Sequence, residues 1–383
     1  MKIVINTRLL IKGRIDGISR FTYETVKRIC QNHPEHQFYL LFDRMYSKEF
    51  IFGDNVKPII VPFQARHPFL WWFWFHSQVP RVLNALKPDV FVSTDGYSVV
   101  TGDTPVVDVI HDLNFEHFPE HLPYLVRKYY QKYFPQYAQK ATRIATVSEF
   151  SKNDIHTLYT IPLEKIDVVY NGVSSSFQPL LDVEKIIIKQ KYTNSTDYFV
   201  YAGTLHPRKN IEGLFAAFKI FKEKTQSTMK LVIVGESMFL AKTIQKAYDK
   251  HPYKKDIVFT GRVSDKDLNY LLGSAFAMTY VPFFEGFGIP ILEAFACNIP
   301  VITSNCTSMP EVAGEAALLC DPTNVESIAN AMIQLYSDKD LPQKLIAHSQ
   351  EQLQKFTWDK TAELLWESIE NAQCVMRNCN YGL

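Results

Sequence analysis

Two glutamates stand eight positions apart in the string Pro282-Phe-Phe-Glu-Gly-Phe-Gly-Ile-Pro-Ile-Leu-Glu293, with Gly286, Phe287, Gly288 and Ile289 between them. A strand pattern ends at Val281 or Pro282, a glycine loop follows, and Pro290 suits the first turn of a helix. Glycines let the backbone pass close to a ligand, and a helix start adds free N–H groups and the positive end of a dipole. Such a loop can seat an anion. Carboxylates do not bind phosphate, so Glu285 and Glu293 are suited to accept hydrogen bonds from hydroxyls, a sugar's on one side and a ribose's on the other. The plainer alternative is a buried loop with an incidental acid pair.

A second string, Ala202-Gly-Thr-Leu-His-Pro-Arg-Lys-Asn-Ile211, also joins a strand pattern to a helix pattern. Gly203 permits the turn, and Arg208 and Lys209 come at the helix entrance, where two cations can neutralise a departing nucleoside diphosphate without a metal ion. His111, in Ile110-His-Asp-Leu-Asn114, follows a strand at the carboxyl edge, where open α/β sheets present ligands. A lone histidine there is as readily structural. The Gly13–Arg20 loop, with Gly17, could offer N–H groups to phosphate or be an ordinary connection. Phosphate-loop, nucleophile-elbow, HExxH and full dinucleotide signatures are absent. Asp265–Asp267 and Asp338–Asp340 sit beside expected helix starts, with Ser264 as N-cap, and read as dipole-facing acids rather than ligands. Neither a metal nor a cofactor is expected.

These loops need strands to hold them. Continuous apolar runs predict strands at Ile3–Asn6, Phe38–Phe42, Pro58–Val61, Asp89–Ser93, Val106–His111, Ile144–Val147 and Asp167–Tyr170. The later part repeats the pattern at Tyr198–Ala202, Leu231–Val234, Ile257–Thr260, Ala277–Val281, Val301–Thr303 and Ala317–Leu319. Helical spacing intervenes, as in Gly17–Cys30 with Ile18, Phe21, Thr25, Val26 and Ile29. The alternation predicts two doubly wound α/β units. Ser174–Ser176 and Pro179 mark a polar switch near residue 181, giving domains 1–180 and 181–357; a closing helix, about 358–383, is expected to return to the first.

Composition narrows the partners. The 383 residues suit two domains, and 46% hydrophobic content fills two cores. Lys+Arg 41 against Asp+Glu 40 leaves +1, too little to draw nucleic acid. Six cysteines show neither a metal-ligand spacing nor a disulfide framework, which points to reduced thiols in a cytoplasmic protein. The opening residues lack a signal-peptide pattern, and the longest apolar run, Pro68–Phe75, is too short to span a bilayer. Aromatics reach 14%, gathered in 66–76 and in 120–140 among Arg127, Lys128 and Lys132. Those stretches suit a peripheral membrane contact, an acceptor surface or ordinary core.

Taken in order, the strings resemble glycosyltransferase family 4, retaining enzymes of the GT-B fold. The resemblance runs through Gly17-Ile-Ser-Arg-Phe, His111-Asp, Thr146-Val-Ser-Glu-Phe-Ser, Val169-Tyr-Asn-Gly-Val173, Gly203 to Asn210, Phe259-Thr-Gly-Arg-Val263 and Glu285 to Glu293. It continues through Val301-Ile-Thr-Ser-Asn, Pro310-Glu-Val-Ala-Gly-Glu-Ala-Ala and Asp321-Pro. The Pro-Arg-Lys-Asn form of the second string is similar to the mannosyltransferase branch. The family implies two Rossmann-like domains facing each other across a cleft, with a nucleotide-sugar donor held mainly by the second and domain closure around it. Carried over, Arg208 and Lys209 hold the diphosphate, Glu293 the ribose, and Glu285 with the Phe287–Gly288 backbone the sugar; His111 meets a sugar hydroxyl, and Arg262 and Val263 lie by the base. One departure is Thr204, where many relatives carry Arg after the glycine.

The implied reaction is transfer of a hexose with retention, from GDP-mannose first and a UDP-sugar next. The acceptor is a glycan or lipid-linked glycan in bacterial-type surface polysaccharide assembly. Departing phosphate takes the acceptor proton, so Glu285 is not assigned as a nucleophile despite the analogy with retaining glycosidases. A non-hydrolysing sugar-nucleotide epimerase and a non-catalytic scaffold are the alternatives; a phosphorylase would need a pyridoxal-phosphate lysine for which no context is recognisable.

Overall fold

The computed structural model describes residues 1–15, 17–236 and 241–380. The chain forms two compact units, Met1–Asn171 with the segment from Trp358 onward, and Gly172–Thr357. The boundary therefore lies earlier than the switch expected near residue 181. Packing explains the difference: Phe177 is buried, Gln178 N–H donates to Asn269 Oδ1 at 2.9 Å, and Leu180 lies against Gly273, all within the second unit.

The first unit carries a parallel sheet of β1 (Lys2–Asn6), β2 (Gln37–Phe42), β3 (Val56–Ile60), β4 (Val90–Ser93), β5 (Val106–Val109), β6 (Arg143–Thr146) and β7 (Ile166–Val168), in the order β3-β2-β1-β4-β5-β6-β7. The second carries β8 (Tyr198–Ala202), β9 (Lys230–Val234), β10 (Ile257–Gly261), β11 (Ala277–Tyr280), β12 (Val301–Ser304) and β13 (Ala317–Cys320), in the order β10-β9-β8-β11-β12-β13. Every expected strand is present with small end shifts. β8 and β11 are buried along their whole length, as strands covered on both faces must be. In both sheets the order reverses beside the first strand, so each has a switch point at its carboxyl edge, between β1 and β4 and between β8 and β11.

The helix Gly17–Asn32 buries Phe21, Thr22, Thr25, Val26, Ile29 and Cys30, one apolar stripe at helical spacing. The long helix Trp358–Asn380 joins the first unit through particular contacts. Asp359 pairs with Arg28 at 2.6 Å, Thr361 Oγ1 donates to the Tyr170 carbonyl at 2.6 Å, and Trp366 stacks on His33 at 3.7 Å.

Most of the aromatic surplus is core. Trp74, Phe75, Tyr97, Tyr129, Phe134 and Tyr137 are buried in one cluster of the first unit. Trp71 packs edge-on to Tyr97 and Tyr129, and hydroxyls meet in pairs, Tyr97 with Tyr130 at 2.6 Å and Tyr129 with Tyr137 at 2.7 Å. Phenols buried as pairs satisfy each other, so the rings can be core without orphaned hydroxyls. Phe63, Phe69, Trp72 and Tyr124 remain exposed. Among the described residues no helix is long and apolar enough to cross a membrane.

Candidate functional site

The second unit brings its two motif loops together at the β8–β11 switch point. After β8 the chain turns at Gly203 and makes one tight turn, Pro207–Lys209. The His206 side chain accepts from Arg208 N–H, and Asn210 adopts φ 58° before the helix Ile211–Thr225 begins. The cations thus precede the helix instead of opening it, because Pro207 and a left-handed Asn210 separate the turn from the helix. Asn210 Nδ2 ties this corner to the Pro322 carbonyl at 2.7 Å.

The loop after β11 meets that turn directly. Phe283 N–H donates to the Arg208 carbonyl at 2.8 Å, and Arg208 Nη1 donates to the Phe284 carbonyl at 3.0 Å. Glu285 lies at the centre. Its Oε1 accepts from Arg208 Nη1 at 2.7 Å and from the Tyr280 hydroxyl at 3.0 Å, and pairs with Lys209 Nζ. The Tyr280 hydroxyl in turn accepts from Lys209 Nζ at 2.8 Å. Lys209, Glu285 and Tyr280 are all buried, so these bonds are shielded from water and salt. Burial pushes the Tyr280 phenol well above its ordinary value, which leaves it a neutral donor.

Two glycines here are required by geometry. Gly288, at φ 104°, precedes the helix Ile289–Ala296, and a Cβ on it would fall 2.6 Å from Met309 Cε. Gly235, at φ 146°, would press a Cβ onto the Gly203 carbonyl at 1.9 Å. Gly235 went unnoticed in the sequence because it stands outside any recognisable string. The loop carbonyls are pinned by buried serines: Ser308 Oγ shares its one hydrogen between Glu285 O at 2.9 Å and Phe287 O at 3.0 Å, and Ser304 Oγ donates to Pro282 O at 2.6 Å. Gly286 and Phe287 are buried in this strap, with Ile289 half-buried. Glu293 sits half-buried one helical turn on, and Arg262 and Val263 follow β10, the arginine exposed.

Gly17 and His111 belong to the first unit. Gly17 opens its helix at φ 44° and is exposed. His111 lies past the end of β5, its ring edge-on to Phe21 at 5.0 Å, with Nε2 2.9 Å from the Thr94 carbonyl. A carbonyl only accepts, so Nε2 carries the hydrogen and Nδ1 presents a lone pair. Burial pulls the imidazole below its ordinary value despite that bond, so it is neutral at pH 7.

Beneath it lies a group that sequence reasoning missed. Arg8 pairs with Asp95 at 2.8 Å, and its guanidinium stacks over the Tyr97 ring at 4.5 Å. Asn6 Nδ2 donates to Asp95 Oδ1 at 2.9 Å. Burial works against the Arg8 charge, yet Asp95, Tyr97 and Asp43 hold its pKa above the ordinary value. Asp108, on β5, is fully buried with neither oxygen hydrogen-bonded, and burial drives it toward the neutral acid. Neither residue stands in a motif, and only the fold shows that they are inside.

Among the described residues, no three or more His, Cys, Asp or Glu are grouped to hold a metal ion. Residues 182–352 match the family described as Glycosyl transferases group 1, and residues 15–177 match Glycosyltransferase Family 4. The chain is a family 4 glycosyltransferase. This glycosyltransferase is 29% identical to the O-antigen chain mannosyltransferase B of Escherichia coli, over 94% of this chain and 97% of that one. It is 24% identical to the serotype-specific mannosyltransferase WbdA of Escherichia coli, over 94% of this chain but 46% of that longer protein. Among solved structures, Anabaena HepE in complex with UDP and glucose superimposes with a TM-score of 0.75 at 16% identity, covering 97% of this chain and 99% of that one. WaaG, a glycosyltransferase involved in lipopolysaccharide biosynthesis, gives 0.72 at 14%, covering 94% and 97%. The fold of the glycosyltransferase is GT-B, with two Rossmann-like units.

Proposed function

We propose that this glycosyltransferase moves mannose from GDP-mannose to a growing surface polysaccharide, with retention at the anomeric carbon and without a metal. The observation that carries the reading is the Arg208–Lys209–Glu285–Tyr280 cluster at the switch point of the second sheet. It supplies two cations for a leaving diphosphate and a carboxylate for a sugar hydroxyl. Mannose is supported by the names of the O-antigen mannosyltransferases to which the chain is similar.

In this reading Arg208 and Lys209 neutralise the diphosphate as the bond from anomeric carbon to phosphate oxygen breaks. The acceptor oxygen bonds to the same face of that carbon, and its proton passes to the departing phosphate. The products are the elongated glycan and GDP. His111 Nδ1 accepts from a sugar hydroxyl near the reacting carbon, Glu293 from the ribose hydroxyls, and the strap Gly286–Ile289 offers N–H groups. Gly17 and Gly203 bring backbone close to phosphate, and Arg262 and Val263 flank the base. A lipid-linked acceptor suits the exposed aromatics Phe63, Phe69, Trp72 and Tyr124 of the first unit, with Arg66, Arg127 and Lys128 on the same segments. The protein would then work in the cytoplasm, at the inner membrane face.

Thermal shift across GDP-, UDP- and dTDP-sugars, followed by nucleotide release with acceptor glycan in EDTA, tests the proposal. GDP-mannose should stabilise the fold most and release GDP only with acceptor, giving an α-linked product. Interconversion of a free UDP-sugar would favour an epimerase, and no binding by any donor would leave a scaffold.

A further inference from the structure

The cations that should hold a diphosphate are already engaged. Arg208 and Lys209 both bind one oxygen of Glu285, the residue assigned to the donor sugar. In this state the chain supplies its own anion to its anion seat. The backbone around that carboxylate is held: Ser308 Oγ fixes the Glu285 carbonyl at 2.9 Å, and Arg208 Nη1 the preceding one at 3.0 Å. Only the side chain is left to swing. Tyr280 is placed as the pivot, its ring stacked on Tyr201 at 5.9 Å and its hydroxyl bonded to both Lys209 and Glu285. Whichever partner Lys209 has, the hydroxyl keeps the ammonium in position.

We propose that Glu285 is the resident anion of the Arg208–Lys209 seat and that a donor binds by exchange. The diphosphate takes the two cations, and a sugar hydroxyl takes the released carboxylate. This inference rests on the function proposed above and adds a selection rule to it. A sugar nucleotide meets both demands. A bare nucleoside diphosphate meets only one, because it expels Glu285 from its cations and itself brings the carboxylate no donor, leaving it the Tyr280 hydroxyl; a buried carboxylate that loses two cations so is costly. The site therefore favours donor over spent nucleotide, and Glu285 re-closing on the cations drives the product out.

The test is calorimetric titration of inorganic pyrophosphate, GDP, UDP and their sugar conjugates into wild type, Glu285→Gln and Glu285→Ala, with melting temperatures as the fold control. Both variants should bind pyrophosphate and the bare diphosphates at least about tenfold more tightly than wild type, because the internal competitor is gone. Their preference for sugar nucleotide over bare diphosphate should shrink by a similar factor. If wild type binds donors and neither variant gains affinity for pyrophosphate or diphosphate, the exchange is overturned while the function stands. If wild type binds no sugar nucleotide at all, the proposed function falls and takes the exchange with it.

Discussion

The carboxyl edges of the two sheets both bury charge, but they commit it differently. Arg8 is locked by an ion pair to Asp95, a bond to the Ala65 carbonyl and the Tyr97 ring, among aromatic side chains in van der Waals contact. Arg208 and Lys209 are bound to an acidic side chain on a glycine-bearing loop. Arg8 keeps several partners at once within its own unit, an arrangement that favours a structural worth. Under the exchange proposed above, the looped pair trades one anion for another. Buried charge is thus a weak guide to function on its own; what decides is whether its partner can leave.

The largest expected effect lies in the aromatic core. Trp74→Ala removes a fully buried ring from the aromatic cluster and should destabilise the first unit by about 3–5 kcal/mol. Calorimetry should show one early transition, and a shift worth under about 1 kcal/mol would mean that the cluster is not a structural core. Lys209→Ala should show the opposite balance. It should lower transfer about 10²–10³-fold, as loss of a group stabilising the leaving charge does, while melting falls by less than in Trp74→Ala, because Arg208 and Tyr280 still bond Glu285. Turnover equal to wild type with any accepted donor would remove Lys209 from the mechanism.

A smaller effect sharpens the role of the first unit's histidine. His111 is held neutral by burial, so its pKa lies below the ordinary 6.5. The lone pair on Nδ1 is then present at pH 7 and is lost as pH falls through that depressed value. The profile of kcat/KM should be flat at neutral pH with an acid limb below about 6.5. His111→Asn should lower the rate about tenfold, the scale of one hydrogen bond, and abolish that limb. The same depression has a stability consequence of fixed sign. The unfolded chain takes up the proton first, so stability present above about 6.5 declines as pH falls below it. An acid limb that survives in His111→Asn would assign it to another group.

Much of the candidate site could be nominated before folding, for a physical reason. Gly203, Arg208, Lys209 and the loop from Glu285 to Glu293 lie in two short segments, each joined to a strand whose apolar run marks where it ends. A strand end in a doubly wound sheet is where ligands bind, so local pattern was enough to nominate these residues. Tyr280, Gly235, Ser304 and Ser308 were missed. Each serves the site through a contact with a distant segment, as Ser308 does with the Glu285 carbonyl. The aromatic stretches show the converse limit. Trp71 and Trp72 are adjacent in the chain, yet one packs on Tyr129 and the other is exposed. Composition placed a surplus there and could not say which rings face inward.

The amino-acid sequence by itself determined the alternation of strand and helix, the two-unit plan and the identity of the loop residues. These follow from apolar periodicity and from glycine and proline chemistry, which act over a few residues. Tertiary structure alone decided that Glu285 closes on Arg208 and Lys209, that Asp108 is sealed without a partner and that the division falls after Asn171. Partner choice and burial depend on which distant segments the sheet order makes neighbours. No local pattern carries that information.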